Sequence, residues 1–318
     1  MQIKTLGRTG FRIGVIGLGG APLGRLTTPE QARQAIDMLH AVCERHPQDG
    51  LLLLDTAGLY GQGQSESLIG EALRERPDLR EHVLVATKVG QCPRGFGYTY
   101  DETLPRIEAS LERLGMERLP LVHIHDAPQE LLPTVMGKGG CLEALRKLQG
   151  EGVIEHIGIA VNDPTDNTPY IETGEFATAV VPEAFSLLTQ VAEERIFPAA
   201  ERFGMGITIA TPIERGLLAS GVAPFRAGEV TFSARNFSGE CLAHVERIQA
   251  VCAARGVSLL AAALQFIVRH PQVTAAIPGA DTVEQALANC AAADEPIPDS
   301  FWTALQPLIR TWERGVHR

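Results

Sequence analysis

Much is missing from this chain of 318 residues. Its six cysteines (Cys43, Cys92, Cys141, Cys241, Cys252 and Cys290) include no Cys-x-x-Cys pair, so neither a zinc site nor a disulfide framework is expected. No charged-then-apolar leader opens it, and no apolar run approaches membrane-spanning length. A reducing, cytoplasmic setting without a membrane partner is therefore expected. Acidic residues outnumber basic ones, 38 to 28, for a net charge of −10, which speaks against nucleic acid as a partner. Low-complexity stretches and charge blocks are absent, so no linker or domain boundary is expected. A Gly-x-Gly-x-x-Gly turn is absent too. Gly17-Leu18-Gly19-Gly20 follows an apolar run but opens no immediate helix, and a dinucleotide-binding Rossmann reading fails on that context. Nothing in the sequence speaks to oligomeric state.

What is present is a repeated alternation. With 45% apolar residues the chain can bury a full core. Eight short apolar runs occur at 15–18, 51–54, 83–87, 121–124, 157–161, 178–181, 206–210 and 274–277. Most lack polar alternation, as strands buried on both faces of a parallel sheet do. Helical patterns separate them. Thr28, Pro29 and Gln31 form a capping box, as do Thr99 and Glu102, while Gly115, Gly150 and Gly204 stand as helix stops. The pattern predicts an α/β fold, a (β/α)8 TIM barrel in which residues 1–318 form a single domain. Residues 3–6 and 11–13, joined by Gly7-Arg8-Thr9-Gly10, read as a hairpin ahead of the first barrel strand.

Three successive strand candidates end in an ionisable residue: Asp55, Lys88 and His125. Tyr60 follows the first by five residues. In a parallel barrel the C-terminal strand ends form one rim, where catalytic groups collect. An acid, a phenol, an amine and an imidazole gathered there suit proton transfer to or from an oxygen. Singly, each has a structural explanation, and Asp55 with Lys88 could be a plain ion pair; their joint placement points to an enzyme. His123 faces the same side as His125 and is expected to be a hydrogen-bonded core histidine. Two long connections leave the same rim, 91–100 and 213–239, and both are candidate lids.

The wording around these residues resembles the aldo-keto reductase family. Asp55-Thr56-Ala57-Gly58-Leu59-Tyr60-Gly61-Gln62-Gly63-Gln64-Ser65-Glu66 with Gly70 and Leu73 is similar to its signature. Thr87-Lys88, His125-Asp126, Gly152-Val153-Ile154-Glu155-His156-Ile157-Gly158 and Ile277-Pro278-Gly279 with Asn289 follow in the family's order. The likeness runs from Leu6 to Asn289. Gly20-Ala21-Pro22-Leu23-Gly24 and Tyr98-Thr99-Tyr100-Asp101-Glu102-Thr103 are more similar to its sugar-oxidising branch, the aldose, fucose and galactose 1-dehydrogenases.

The resemblance implies that the hairpin closes the barrel floor and that hydride moves between a nicotinamide cofactor and a carbonyl or lactol carbon. Tyr60 would exchange the proton with the substrate oxygen, and Lys88 would lower the phenol from its ordinary value near ~10. Asp55 would fix Lys88, and His125 would orient the substrate oxygen. For the cofactor, the resemblance implies Gly20 and Ala21 near the nicotinamide ribose, Asn162 at the carboxamide, and Asp55 as a further contact. Thr211, Pro212, Ile213, Gly216 and Leu218 would wrap the pyrophosphate. Pro278, Gly279, Ala280, Asp281, Gln285 and Asn289 would lie along the adenosine end. Ala210 stands where many relatives have a stacking tyrosine, and Pro182 where they have glutamine.

NAD is favoured over NADP, because 278–289 contains no Lys or Arg and Asp281 would repel a 2′-phosphate. Asp281 as the cap of the following helix is the structural alternative. The favoured activity is oxidation of an aldose at C1 to its lactone. The alternatives are an NADPH-dependent reductase of aldehydes and ketones, or a non-catalytic nicotinamide-binding regulatory subunit. A small-molecule sugar or aldehyde is the expected partner.

Overall fold

The computed structural model describes residues 1–46, 49–92, 95–227 and 237–312. Their strands, in chain order, are β1 (Ile3–Thr5), β2 (Arg12–Gly14), β3 (Leu18–Gly19), β4 (Leu52–Asp55), β5 (Val83–Cys92), β6 (Gly95–Phe96), β7 (Leu119–His125), β8 (Ile154–Ala160), β9 (Thr178–Pro182), β10 (Gly206–Ala210) and β11 (Val273–Ile277). Eight of them, β3, β4, β5 and β7 to β11, lie side by side and parallel in the order β11-β10-β9-β8-β7-β5-β4-β3. Parallel bridges from Ile16 to Ala276 and from Gly19 to Gly279 bring the first strand against the last. The result is an α/β barrel of the (β/α)8 type, with helices around it. Each of the eight apolar runs falls on one of these strands.

Alternation along each strand sorts side chains between two cores. Leu53, Leu84, Ala86, Leu121, Ala160, Val180, Ala275 and Ile277 fill the barrel interior with Leu6 and Ile13. The intervening residues, such as Leu52, Leu54, Val85 and Val122, pack outward against the helices. Near the top of the strands the inward positions become Asp55, Lys88, His123 and His125, all buried. The same alternation that builds the core therefore aims these groups into the mouth of the barrel.

The opening hairpin, β1 against β2, lies across the N-terminal strand ends. Lys4 Nζ donates to the carbonyls of Val268 (2.7 Å) and Val273 (2.8 Å), the latter at the start of β11. Gly7 sits at φ +50°, and a Cβ there would stand 2.0 Å from the backbone nitrogen of Gly206, the first residue of β10. Only a glycine lets the hairpin reach that close. Leu6 and Ile13 are fully buried beneath the interior core.

Both capping boxes form, at Thr28 with Gln31 and at Thr99 with Glu102. Gly115 and Gly204 end their helices at φ +61°. Gly150 is the last residue of the helix Cys141–Gly150 rather than the stop beyond it, and the left-handed turn falls on Gly152.

The first expected lid is different in kind. β5 runs on to Cys92 and folds back on β6, and Tyr98 is buried with its hydroxyl donating to the His125 carbonyl at 2.6 Å. That hydrogen bond ties this segment to the strand end carrying His125; residues 93 and 94 lie outside the described residues. The second, 213–239, carries the short helices Leu217–Ser220 and Ala223–Arg226; its residues 228–236, Arg235 among them, lie outside the described residues. No helix among the described residues is long and apolar enough to cross a membrane.

Candidate active site

Lys88 reaches the rim from β5, and its ammonium has three oxygens around it. It donates to Asp55 Oδ2 at 2.6 Å, the Thr56 carbonyl at 2.8 Å and the Tyr60 hydroxyl at 3.3 Å. The His125 ring meets the Tyr60 ring edge-on, with centroids 5.8 Å apart. The four residues singled out in the sequence are therefore one cluster. An ammonium offers three N–H donors, and here each finds an acceptor, which fixes where its charge lies relative to the phenol.

Neighbouring contacts hold the cluster in place. Gly24 and Gly61 approach so closely that a Cβ on either would fall 2.5 Å from the other's loop backbone, which presses the turn bearing Tyr60 against the segment after β3. Thr56 Oγ1 donates to Ser65 Oγ at 2.8 Å, and Ser65 Oγ to the Gly20 carbonyl at 2.9 Å. Beneath Lys88, the buried Glu66 carboxylate accepts from Thr87 Oγ1 at 2.5 Å and from Arg113 Nε at 2.7 Å. That bond ties the helix Gln64–Glu75 to the strand end carrying Lys88.

Burial dominates the proton chemistry. It pushes the Tyr60 phenol above its ordinary value, and the opposing pull of Lys88 is the smaller effect. The expectation that Lys88 brings the phenol below a free one is not met: Tyr60 is held protonated. Burial would draw Lys88 down, but Asp55 and Tyr60 raise it on balance, so it stays an ammonium. His125 falls well below its ordinary value through burial, Lys88 and His123; it is a neutral imidazole. His123 is pushed down to about 3, chiefly by burial, and shares a 3.1 Å hydrogen bond with Thr178 Oγ1. It is the hydrogen-bonded core histidine expected.

These groups form the end of a cleft of about 660 Å³, within the usual range for small-molecule sites. Asp55, Tyr60, Lys88, His125, Ala21, Asn162, Thr211, Pro212, Ile213, Gly216, Gly279, Ala280, Asp281, Gln285 and Asn289 all line it. Three expected cofactor contacts do not. Leu218 is fully buried, with its N–H donating to the Ile213 carbonyl. Gly20 is buried against Ser65 and Asp55, and Pro278 is buried, its carbonyl accepting from Gly19 N. They support the walls. Ala210 and Pro182 line the cleft, so its wall at these two positions is neither aromatic nor amide.

The cleft also holds residues the sequence did not flag. Arg25 and Arg215 line it from the segments after β3 and β10, and Arg25 lies close enough to Asp281 to feel its charge. Arg215 pairs with Glu183 at 2.8 Å. Asp126, immediately after His125, lines it as well. Its Oδ1 accepts from Asn162 N at 2.8 Å and its Oδ2 from Asn162 Nδ2 at 2.7 Å. The one available signal for Asp126 was its place beside His125 in the sequence. Asp281 is not the helix cap; Thr282 is, accepting from Gln285 N at 3.2 Å. The Asp281 side chain thus remains at the cleft.

A nicotinamide dinucleotide fits these residues chemically. Asp55 Oδ1 is buried on the cleft wall with no hydrogen-bond partner among the described residues, an acceptor suited to a donor such as a ribose hydroxyl.

Comparison with known proteins points the same way. The aldo/keto reductase family model matches residues 15–310. Pyridoxal 4-dehydrogenase of Microbacterium luteolum is 31% identical over 95% of this chain and 96% of its own. L-galactose dehydrogenase of Arabidopsis thaliana is 25% identical over 100% of this chain and 99% of its own. Among solved structures, an aldo-keto reductase from Bacillus halodurans in its holo form superposes with a TM-score of 0.77 over 98% of both chains at 24% identity, a likeness of fold.

Proposed function

The chain belongs to the aldo/keto reductase family and is an NAD(P)-dependent oxidoreductase, and on that premise we propose that it oxidises an aldose at C1 to the lactone, with NAD as the preferred acceptor. The observation that carries the reading is the Lys88 ammonium held between Asp55 and the Tyr60 hydroxyl at the end of the cleft. A nicotinamide held in this cleft would supply the hydride chemistry at the lactol or carbonyl carbon.

The remaining work falls to the chain. For the carbonyl direction, Tyr60 is protonated and delivers its proton to the oxygen on which negative charge develops. The Lys88 ammonium stabilises the phenolate left behind. Neutral His125 shares the substrate oxygen and holds it toward the phenol. In the oxidative direction Tyr60 as phenolate takes the lactol proton. Asn162 would hold the carboxamide, and the loop from Thr211 to Gly216 would bind the pyrophosphate. The relationship to L-galactose dehydrogenase supports a sugar as substrate.

Preference for NAD rests on Asp281, which lies on the cleft and is not engaged as a cap, and on the lack of Lys or Arg in 278–289. Arg25 lies near enough to Asp281 for that carboxylate to offset part of its charge. The test is nicotinamide absorbance with a panel of aldoses and aldehydes, both cofactors and both directions. The highest kcat/KM is expected for an aldose with NAD; a higher value for NADP overturns the cofactor assignment, and turnover confined to simple aldehydes overturns the sugar. Asp281→Arg should shift the cofactor ratio at least about tenfold toward NADP, a charge-assisted contact of ~1.4 kcal/mol.

A further inference from the structure

Asp126 is an oddity of this rim. It follows His125, where β7 ends, and were the strand to continue its side chain would turn outward toward the helices. Instead its φ is +47°, a left-handed conformation uncommon for a residue with a side chain, though Asp tolerates it better than most. The turn brings the carboxylate onto the cleft wall, near enough to the Tyr60 phenol for its charge to bear on it. Both oxygens accept one bond, each from Asn162, and no cation among the described residues pairs with it. A carboxylate oxygen accepts more than one bond. The wall beside the reacting oxygen therefore offers unused acceptor capacity on a fixed anion.

We propose that Asp126 sets substrate specificity by accepting a hydrogen bond from a hydroxyl on the carbon next to the reacting one, and so selects α-hydroxy carbonyl compounds and their cyclic lactols over simple aldehydes. This rests on the reaction proposed above. Asn162 holds the carboxylate in place through its paired N–H donors, and the backbone strain at Asp126 is the cost of aiming it inward. A plain aldehyde leaves the carboxylate with unmet acceptors in a half-enclosed site, which discriminates against it.

The test compares glyceraldehyde with 3-hydroxypropanal, which lacks only the neighbouring hydroxyl, in the wild type, Asp126→Ala and Asp126→Asn. The wild type should prefer glyceraldehyde about 10- to 100-fold in kcat/KM, the usual worth of a hydrogen bond to a charged group. In Asp126→Ala the loss on glyceraldehyde should exceed that on 3-hydroxypropanal at least tenfold and appear mainly in KM. Cofactor Kd, read by quenching of protein fluorescence, should stay within about threefold of wild type. Asp126→Asn keeps the size and one acceptor and should give an intermediate selectivity, which serves if the alanine variant does not fold. Equal losses on both substrates with weakened cofactor binding would mean that Asp126 only braces Asn162, and would overturn the proposal; so would unchanged selectivity. Absence of nicotinamide-linked turnover with any substrate overturns the proposed function and this inference with it.

Discussion

The floor and the rim of this barrel differ in which residues they place in left-handed backbone. Left-handed residues on the floor are glycines: Gly7 and Gly10 in the hairpin loop, and Gly115, Gly152, Gly174 and Gly204 ahead of β7, β8, β9 and β10. On the rim, glycines such as Gly61, Gly63, Gly90, Gly216 and Gly221 share such conformations with residues that carry side chains. Gln62, Asp126, Glu183, Thr211, Glu214 and Arg215 are the non-glycine residues at positive φ among the described ones, and all lie in segments that follow β4, β7, β9 or β10. A left-handed side chain costs roughly 1–2 kcal/mol relative to glycine. The floor avoids that cost with glycine, and the rim accepts it at six positions, of which Asp126, Thr211 and Arg215 bring a carboxylate, a hydroxyl and a guanidinium to the cleft. Ionisable groups divide the same way: Lys4 bonds backbone carbonyls below, whereas Lys88 faces a phenol above. The floor serves stability and the rim serves chemistry.

That contrast can be broken by substitution. Tyr60→Phe should lower turnover at least about a thousandfold, ~4 kcal/mol of barrier, while unfolding midpoints and cofactor Kd stay near wild type; turnover within tenfold would remove Tyr60 as the proton donor. Gly7→Ala should do the reverse. Its Cβ meets the Gly206 backbone, and a loss of about 2–4 kcal/mol in denaturant unfolding is expected, with kcat of the folded enzyme unchanged. If the midpoint does not move, the hairpin does not depend on that close approach. The smallest pair sharpens the rule: Gly10→Ala, at φ +77° in open space, should cost about 1 kcal/mol. Gln62→Gly, exposed at φ +55°, should be neutral or gain up to about 0.5 kcal/mol, since relief of strain is partly offset by backbone entropy. Equal destabilisation by both would contradict the idea that Gln62 is strained.

How much of this was legible follows from the range of the forces involved. Eight apolar runs, two capping boxes and the stops at Gly115 and Gly204 are local patterns, and the chain displays them openly. Asp55, Lys88 and His125 were legible because strand ends are local too, and the barrel carries them to one place. Leu218, Gly20 and Pro278, named as cofactor contacts, do not line the cleft, because whether a loop residue faces the cavity or the wall depends on the loop's path. Arg25, Arg215 and Asp126 were overlooked for the same reason: an arginine in a loop has no periodicity to betray its direction, and the turn of Asp126 toward the cleft is a single backbone angle. The raised Tyr60 phenol was missed because a nearby lysine is visible in the sequence, whereas the depth of burial that outweighs it is not.

The central claim is that a buried phenol, held protonated and governed by Lys88, exchanges the proton with substrate. Single-turnover hydride transfer measured across pH tests it most directly. In the oxidative direction the rate should rise about tenfold per pH unit through pH 9 without levelling, because the phenol titrates above its ordinary ~10. Reduction should be flat over the same range. Lys88→Met removes the one charge that lowers the phenol and should displace the oxidative limb to still higher pH. An oxidative rate that levels below pH 8, or a limb that Lys88→Met leaves where it was, would contradict the account.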